Sequence, residues 1–325
     1  MNFTHLPVML KEVLEWLKPK PSGVYVDGTF GRGGYSKAIL NTPGTTVYGI
    51  DRDVQAIHAG HELQKEFDNR LHMLHGRFGD MDTLVPAQEV DGVVLDIGVS
   101  SPQFDDAERG FSFRHDGPLD MRMGQDGRSA SDAVNTLAEK DLADIVFNFG
   151  EERFARRVAK AIVEARMEAP ITRTKQLATI IRAVVPFAKD GLDPATRSFQ
   201  ALRIYVNQEL DELTNGLNAA EKLLKKGGLL VVVSFHSIED RIVKNFMREH
   251  SAGKFNVSRH MPMPVNESKP GLRVMTPKPI GPSAEETAAN PRASSARMRV
   301  AEKIKAESQN GIICEDSESS ETKGV

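Results

Sequence analysis

Two kinds of apolar spacing share this chain. Nearly continuous apolar runs fall at Val24–Asp27, Thr46–Asp51, Arg70–Phe78, Val90–Asp96 and Leu229–Phe235. Such runs suit parallel strands covered on both faces. Between them, apolar residues recur at intervals of three and four, the period of a helix. Pro7–Leu17 carries Val13, Leu14 and Leu17 on one stripe, ends at Pro19 and Pro21, and is expected to cover the sheet. Asp53 is placed to cap a helix running to Phe67. Strands separated by helices predict a doubly wound α/β sheet.

After Phe104 the rhythm breaks. Residues 105–127 read as loop, with aromatics, charges and turn residues interleaved. Three helical segments follow. The first is opened by a Thr136–Glu139 capping box and closed by Gly150; the second covers Glu151–Met167; the third is capped by Thr172 or Thr174 and ended by Pro186. No β pattern interrupts them, which predicts an inserted all-helical domain. One long helix over Ser198–Lys226, stopped by Gly227-Gly228, leads back to the sheet. Residues 261–291 are proline-rich with little periodicity beyond a short helix capped by Ser283. Ala296–Val300 alternates as an edge strand with Arg297 and Arg299 on one face. The expected boundaries are 1–118 with 206–305 for the sheet domain, 119–205 for the insert, and a disordered acidic tail over 306–325.

Candidate chemistry gathers where strands end. Val24–Asp27 runs into Gly28-Thr29-Phe30-Gly31-Arg32-Gly33-Gly34, a glycine-rich turn that opens a helix. Glycines admit a close ligand, and free N–H groups at a helix start attract an anion. The dinucleotide pattern G-x-G-x-x-G fails, because Ser36 stands at its last position. Asp51, 24 residues after Asp27, ends the next strand, where an acid accepts hydrogen bonds from ribose hydroxyls. Turn and acid together predict a nucleoside site, and by geometry alone it serves NAD or S-adenosylmethionine (SAM). Phe78 closes the third strand, where a ring either stacks on adenine or fills the core. Asp96 ends the fourth strand and leads into a polar loop, 97–103. His236-Ser237 follows the fifth; the two are adjacent in sequence rather than facing across a pocket, which argues against a nucleophile–base pair.

Composition bounds the class. Hydrophobic residues make up 40% and charged residues 27%, with a single cysteine, Cys314. No internal disulfide and no cysteine-cluster metal site is expected, and the histidines at 58, 61, 72 and 75 lack ligand spacing. No apolar run approaches the ~20 residues that span a membrane, and the first residues lack the pattern of a signal peptide. A cytoplasmic protein is expected. The net charge of −3 hides segregation. Residues 150–205 hold eleven Lys and Arg against six acids, and residues 241–305 hold thirteen against five. Locally basic surfaces suit an RNA or phosphate-bearing partner or, more simply, solvated helix faces.

Eight stretches, taken together, resemble one family. They are Asp27–Gly34, Ile50–Asp53, Leu95–Gln103, Glu108–Phe113, Asp116–Met123, Gly150–Ala155, Ser234–Arg241 and Asn290–Ala293. Across residues 5 to 303 the chain is similar to the bacterial 16S rRNA cytosine-N4 methyltransferases (ribosomal RNA small subunit methyltransferase H). The resemblance implies a Rossmann-like class I SAM methyltransferase sheet with an inserted helical substrate domain. It implies SAM as cofactor and 16S rRNA of the small ribosomal subunit as partner, with methylation at N4 of a decoding-centre cytidine; no metal ligand is assigned. Carried over by position, the cofactor contacts are Gly33, Gly34, Tyr35, Asp51, Phe78, Asp96 and Gln103. Tyr35 departs from the family, which usually has histidine there. Asp96 then either holds the cofactor's ammonium or accepts from the acceptor amine. The catalytic residue stays unassigned. Phe111 and Phe113 are candidate base-stacking partners or loop anchors, and Arg153, Arg156, Arg157, Arg173 and Arg203 are candidate phosphate contacts. A NAD-dependent oxidoreductase and a noncatalytic RNA-binding protein are the alternatives, and the glycine spacing and the intact nucleoside-site residues respectively argue against them.

Overall fold

In the computed structural model, which describes residues 7–87, 89–124, 126–187, 191–251 and 271–304, the apolar runs assemble into one sheet. Its strands are β1 (Val24–Asp27), β2 (Thr46–Asp51), β3 (Leu71–His75), β4 (Val90–Asp96), β5 (Leu224–Ser234), β6 (Leu272–Val274) and β7 (Arg297–Lys303). They lie in the order β3-β2-β1-β4-β5-β7-β6. β1 to β5 are parallel, and β7 runs antiparallel to both its neighbours. This is the Rossmann-like doubly wound sheet that the strand pattern and the resemblance predict.

The continuous apolar runs are explained by burial on both faces. In β4 and β5, Val93, Leu95, Leu230 and Val232 enter one core with Leu213, Leu217 and Val243 from the helices Glu209–Leu223 and Ser237–Glu249. Val94, Val231 and Val233 point the other way, into a core with Val13, Leu17 and Ile39 from the helices Leu10–Leu17 and Gly34–Leu40. The first helix is therefore the expected cover. A third core joins the helical residues Leu142, Val158, Ile162, Leu177, Ile181 and Leu202 with Phe111 and Leu119 from the loop that precedes these helices.

Several boundaries differ from expectation. The long helix is two, Thr196–Asn207 and Glu209–Leu223, broken at Gln208 with φ 54°. Asn207 explains the break: its amide donates to Met121 O at 2.7 Å and its Oδ1 accepts from Met123 N–H at 2.8 Å. Those bonds tie the helix end to the insert and override a periodic pattern that continues across it. Lys225 and Lys226 belong to β5, and Lys225 pairs with Asp91 at 2.6 Å.

Thr136 caps nothing. It ends a helix, Ala130–Thr136, that Ser129 and Asp132 open as a capping box, and the next helix starts at Glu139 without a side-chain cap. Gly150 is the last residue of that helix, where a Cβ would sit 2.5 Å from Arg197 O, and the left-handed residue after it is Glu151. The following helix is Ala155–Glu168. Thr174 starts the helix Thr174–Val184 but directs its hydroxyl to the loop, accepting from Gly117 N–H at 3.1 Å. β3 ends at His75, so Phe78 begins a single 3-10 turn. Residues 101–105 of the expected loop form a short helix. β7 is internal, and the edge strand is β6, inside the segment that shows little periodicity. Ser283 caps the helix Ala284–Ala289 as expected. Residues 261–270 of the proline-rich stretch and the tail over 306–325 lie outside the described residues. No helix among the described residues is long and apolar enough to cross a membrane.

Candidate active site

The strand order reverses between β1 and β4, so a crevice opens at their C-terminal ends, where doubly wound sheets take ligands. Asp27 and Asp96 end those two strands. Asp27 is fully buried and accepts from Ser36 Oγ at 2.6 Å, which fastens the turn to the helix after it. Burial pushes its carboxyl up to about 6, against the hydrogen bond from Ser36. Gly33 has φ 71°, and a Cβ there would lie 2.6 Å from the Phe30 ring, so only glycine fits. Gly31 N–H donates to Asp51 Oδ2 at 2.8 Å, and Asp53 N–H donates to Asp51 Oδ1 at 2.8 Å. Each oxygen of Asp51 keeps a lone pair, and burial raises its carboxyl.

Asp96 is held differently. Its N–H donates to Thr29 Oγ1 at 2.7 Å, but its Oδ1 is buried with no partner. Burial, then the neighbouring Asp27, pushes its carboxyl up to about 8. Tyr35 is buried beside it. The phenol, pushed up by burial and by Asp96, Asp27 and Glu286, keeps its proton and donates a hydrogen bond to Val8 O. Gly34 lies under Pro7, which a Cβ would meet at 2.5 Å. Gly34 and Tyr35 are thus covered by the N-terminal segment, which Glu286 also holds by accepting from Met9 N–H at 2.7 Å.

Phe78 packs its ring on Gly216, where a Cβ would come within 2.4 Å of it, and stays half-buried. Its core role is plain in the packing. Gln103 turns to Asp53: its amide donates to Asp53 Oδ2 at 2.9 Å and its Oε1 accepts from Ser100 N–H at 3.0 Å. Arg109 joins the same oxygen at 2.8 Å and donates to the carbonyls of Arg122 and Met123. The helix-cap role that the sequence assigns to Asp53 is also present, with Gln55 N–H donating to it at 3.0 Å. The junction itself escapes a reading of the sequence; an acid two residues after a strand-end acid is the one signal for it.

Of the candidate phosphate contacts, two are already answered. Arg173 pairs with Asp116 at 2.9 Å and Arg203 with Glu209 at 2.8 Å. Arg153, Arg156 and Arg157 are exposed at the start of the helix Ala155–Glu168. Phe111 is buried in the helical core; Phe113 packs edge-on to Phe199 at 4.8 Å and borders a cleft of about 760 Å³ with Arg114 and Lys175. A further cleft of about 540 Å³ opens beyond β5, beside Phe235, His236 and Arg297.

The sequence model of the MraW methylase family matches residues 2–304. The chain belongs to the MraW methylase family. A relative from Rhodospirillum rubrum, named "Ribosomal RNA small subunit methyltransferase H", is 54% identical over 306 residues, covering 92% of this chain and 94% of its own. One of the same name from Rhodospirillum centenum is 55% identical over 305 residues, covering 93% of each. Among solved structures, an rRNA methylase from Streptococcus thermophilus is a distant likeness, 8% identical with a TM-score of 0.42 over 93% of this chain and all of its own.

Proposed function

We propose that this methylase uses SAM to methylate N4 of a cytidine in 16S rRNA of the small ribosomal subunit, acting in the cytoplasm. The observation that carries the reading is the agreement, along nearly the whole chain, with relatives named for the ribosomal RNA of the small subunit.

The residues at the switch point fit SAM. A buried carboxyl oxygen without a partner calls for a hydrogen-bond donor, and Asp96 Oδ1 offers that place to the ammonium. Asp51 offers its remaining lone pairs to the ribose hydroxyls. The Gly31–Gly33 turn would offer its backbone to the cofactor's carboxylate end, and the half-buried Phe78 would offer its ring to the adenine. Gln103 acts one step back, holding Asp53 and the loop that carries Ser100.

When bound, the cofactor supplies an electrophilic methyl on a sulfonium. The chain's own task is to hold a poor nucleophile in line, because the cytosine N4 lone pair is delocalised into the ring. Such positioning contributes up to ~10 kcal/mol in the best cases. The base must leave its stack to reach a strand-end site. The exposed Arg153, Arg156 and Arg157 offer the contacts that hold its phosphates.

The test is methyl transfer from radiolabelled SAM to small subunits lacking the modification, followed by nucleoside separation. Label in N4-methylcytidine is expected. Label in another nucleoside overturns the target, and failure of SAM to raise the melting temperature, with NAD as control, overturns the cofactor.

A further inference from the structure

Among the described residues, four buried side-chain atoms have no hydrogen-bond partner: Asp96 Oδ1, His236 Nε2, Glu239 Oε1 and Ser198 Oγ. Three of the four stand at or just beyond the C-terminal ends of β4 and β5. Buried polar atoms are nearly always partnered, so three orphans at one sheet edge mark a place that a ligand completes. Asp96 has a use in the reading above. His236 and Glu239 have none there.

The pair is rigidly built. Glu239 is fully buried in the first turn of the helix Ser237–Glu249. Its Oε2 accepts from the N–H of Phe235 at 2.9 Å and of His236 at 3.3 Å, which leaves Oε1 over. His236 caps the same helix, its Nδ1 accepting from Glu239 N–H at 3.4 Å. An Nδ1 that accepts leaves the neutral ring's proton on Nε2. Nε2 and Oε1 are 2.9 Å apart but not aligned to bond each other. The result is a donor and an acceptor side by side, with Arg203 and Asp96 close to the carboxylate, and His236 itself lines the cleft of about 540 Å³ together with Phe235 and Arg297.

That couple is complementary to one edge of cytosine, where an exocyclic amine donor stands beside a ring-nitrogen acceptor. We propose that His236 Nε2–H and Glu239 Oε1 read this edge of the acceptor base, receiving N4–H on the carboxylate and donating to N3. Uracil presents the opposite polarity, with a carbonyl facing Oε1 and an N–H facing Nε2–H, and is rejected. The inference rests on the function proposed above. It adds the residues that select the base and that turn N4 toward Asp96 and the methyl donor.

The experiment measures binding of a 16S rRNA hairpin carrying the target cytidine, and of the same hairpin with uridine there, to protein loaded with S-adenosylhomocysteine. A matched polar pair discriminates by about fivefold to about a hundredfold, and the wild type is expected to prefer cytidine within that range. His236→Ser keeps a good helix cap but is too short to donate to the base; the preference is expected to fall below about threefold. Glu239→Gln keeps an oxygen for the two backbone N–H groups and puts an amide donor where Oε1 was. It is expected to abolish or reverse the preference, and it remains decisive should the serine variant fold poorly. A wild-type ratio near one, or a Glu239→Gln ratio equal to wild type, overturns the proposal. Product analysis on intact subunits is read separately. Label outside N4-methylcytidine fails the function, whereas correct label with an unaltered ratio in the variants fails only this inference.

Discussion

The sheet's ligand edge holds two sets of carboxylates that the fold treats in opposite ways. At Asp53, every lone pair in use is answered: Gln103, Arg109 and Gln55 N–H all donate, and those bonds, with the Arg109 charge, outweigh burial and hold the carboxyl below its usual range. At Asp96 and Asp27, like charges are crowded into a buried space, no cationic side chain among the described residues bonds to either, and burial drives both carboxyls up. The first arrangement is a clamp, joining β2, the helix after β4 and the loop that leads into the insert. The second is costly to the chain alone: Ser36 tempers Asp27, while Asp96 Oδ1 is left to a proton or a ligand. A satisfied buried charge therefore marks a joint, and an unsatisfied one marks a site.

Four measurements press on this contrast. The largest effect is expected from Arg109→Met, which strands Asp53 and two carbonyls inside the clamp. Breaking such a pair costs about 3 kcal/mol, read as a shift of the denaturant midpoint; a loss below about 1 kcal/mol would show that the junction is ornamental.

Asp96 comes next. Its folded carboxyl is raised, so at neutral pH the ligand-free chain carries a proton there, and taking up an ammonium must expel it. SAM affinity is then expected to tighten about tenfold per pH unit up to pH about 8 and flatten above it. Asp96→Asn is expected to bind weakly with no such slope, as calorimetry in buffers of different ionisation enthalpy would reveal. The same sign governs stability. The proton held by the folded chain but not by the unfolded one makes stability fall as pH rises from about 4 toward 8, and the asparagine variant keeps only the smaller fall that the raised Asp27 and Asp51 supply.

Ser36→Ala removes the hydrogen bond that tempers Asp27 and is expected to cost about 1 kcal/mol, measurable by thermal melting. The smallest effect on stability is expected from Arg153→Ala with Arg156→Ala, within about 0.5 kcal/mol. There the readout is RNA binding, whose log–log salt slope should drop by about 0.7 to 0.9 for each phosphate that is no longer neutralised. An unchanged slope would move the RNA path elsewhere.

Much of this is legible in the chain. The central parallel strands are the most readable, because burial on both faces leaves nearly continuous apolar runs in β4 and in Leu229–Val233 of β5. Asp27, Asp51 and Asp96 can be placed at one edge because each ends such a run. Gly33 can be assigned to the turn because a positive φ admits little else. Other features are not legible. Gln208 breaks a helix whose apolar period runs straight through it, because Asn207 is held from 84 and 86 residues away by Met123 and Met121. Arg173 and Arg203 read as phosphate contacts only while Asp116 and Glu209, which stand opposite them, are out of view. β7 reads as an edge strand, yet β6, three residues long, covers it.

What the sequence determined alone is what depends on neighbours along the chain: periodicity, caps such as Asp53 and Ser283, glycine conformation, and the family itself. The tertiary structure decided which charges are answered. Pairing depends on side chains brought together from distant segments: Arg109 meets Asp53, whereas Asp96 Oδ1 meets no partner among the described residues. A buried carboxylate's chemistry follows from that partner or its absence.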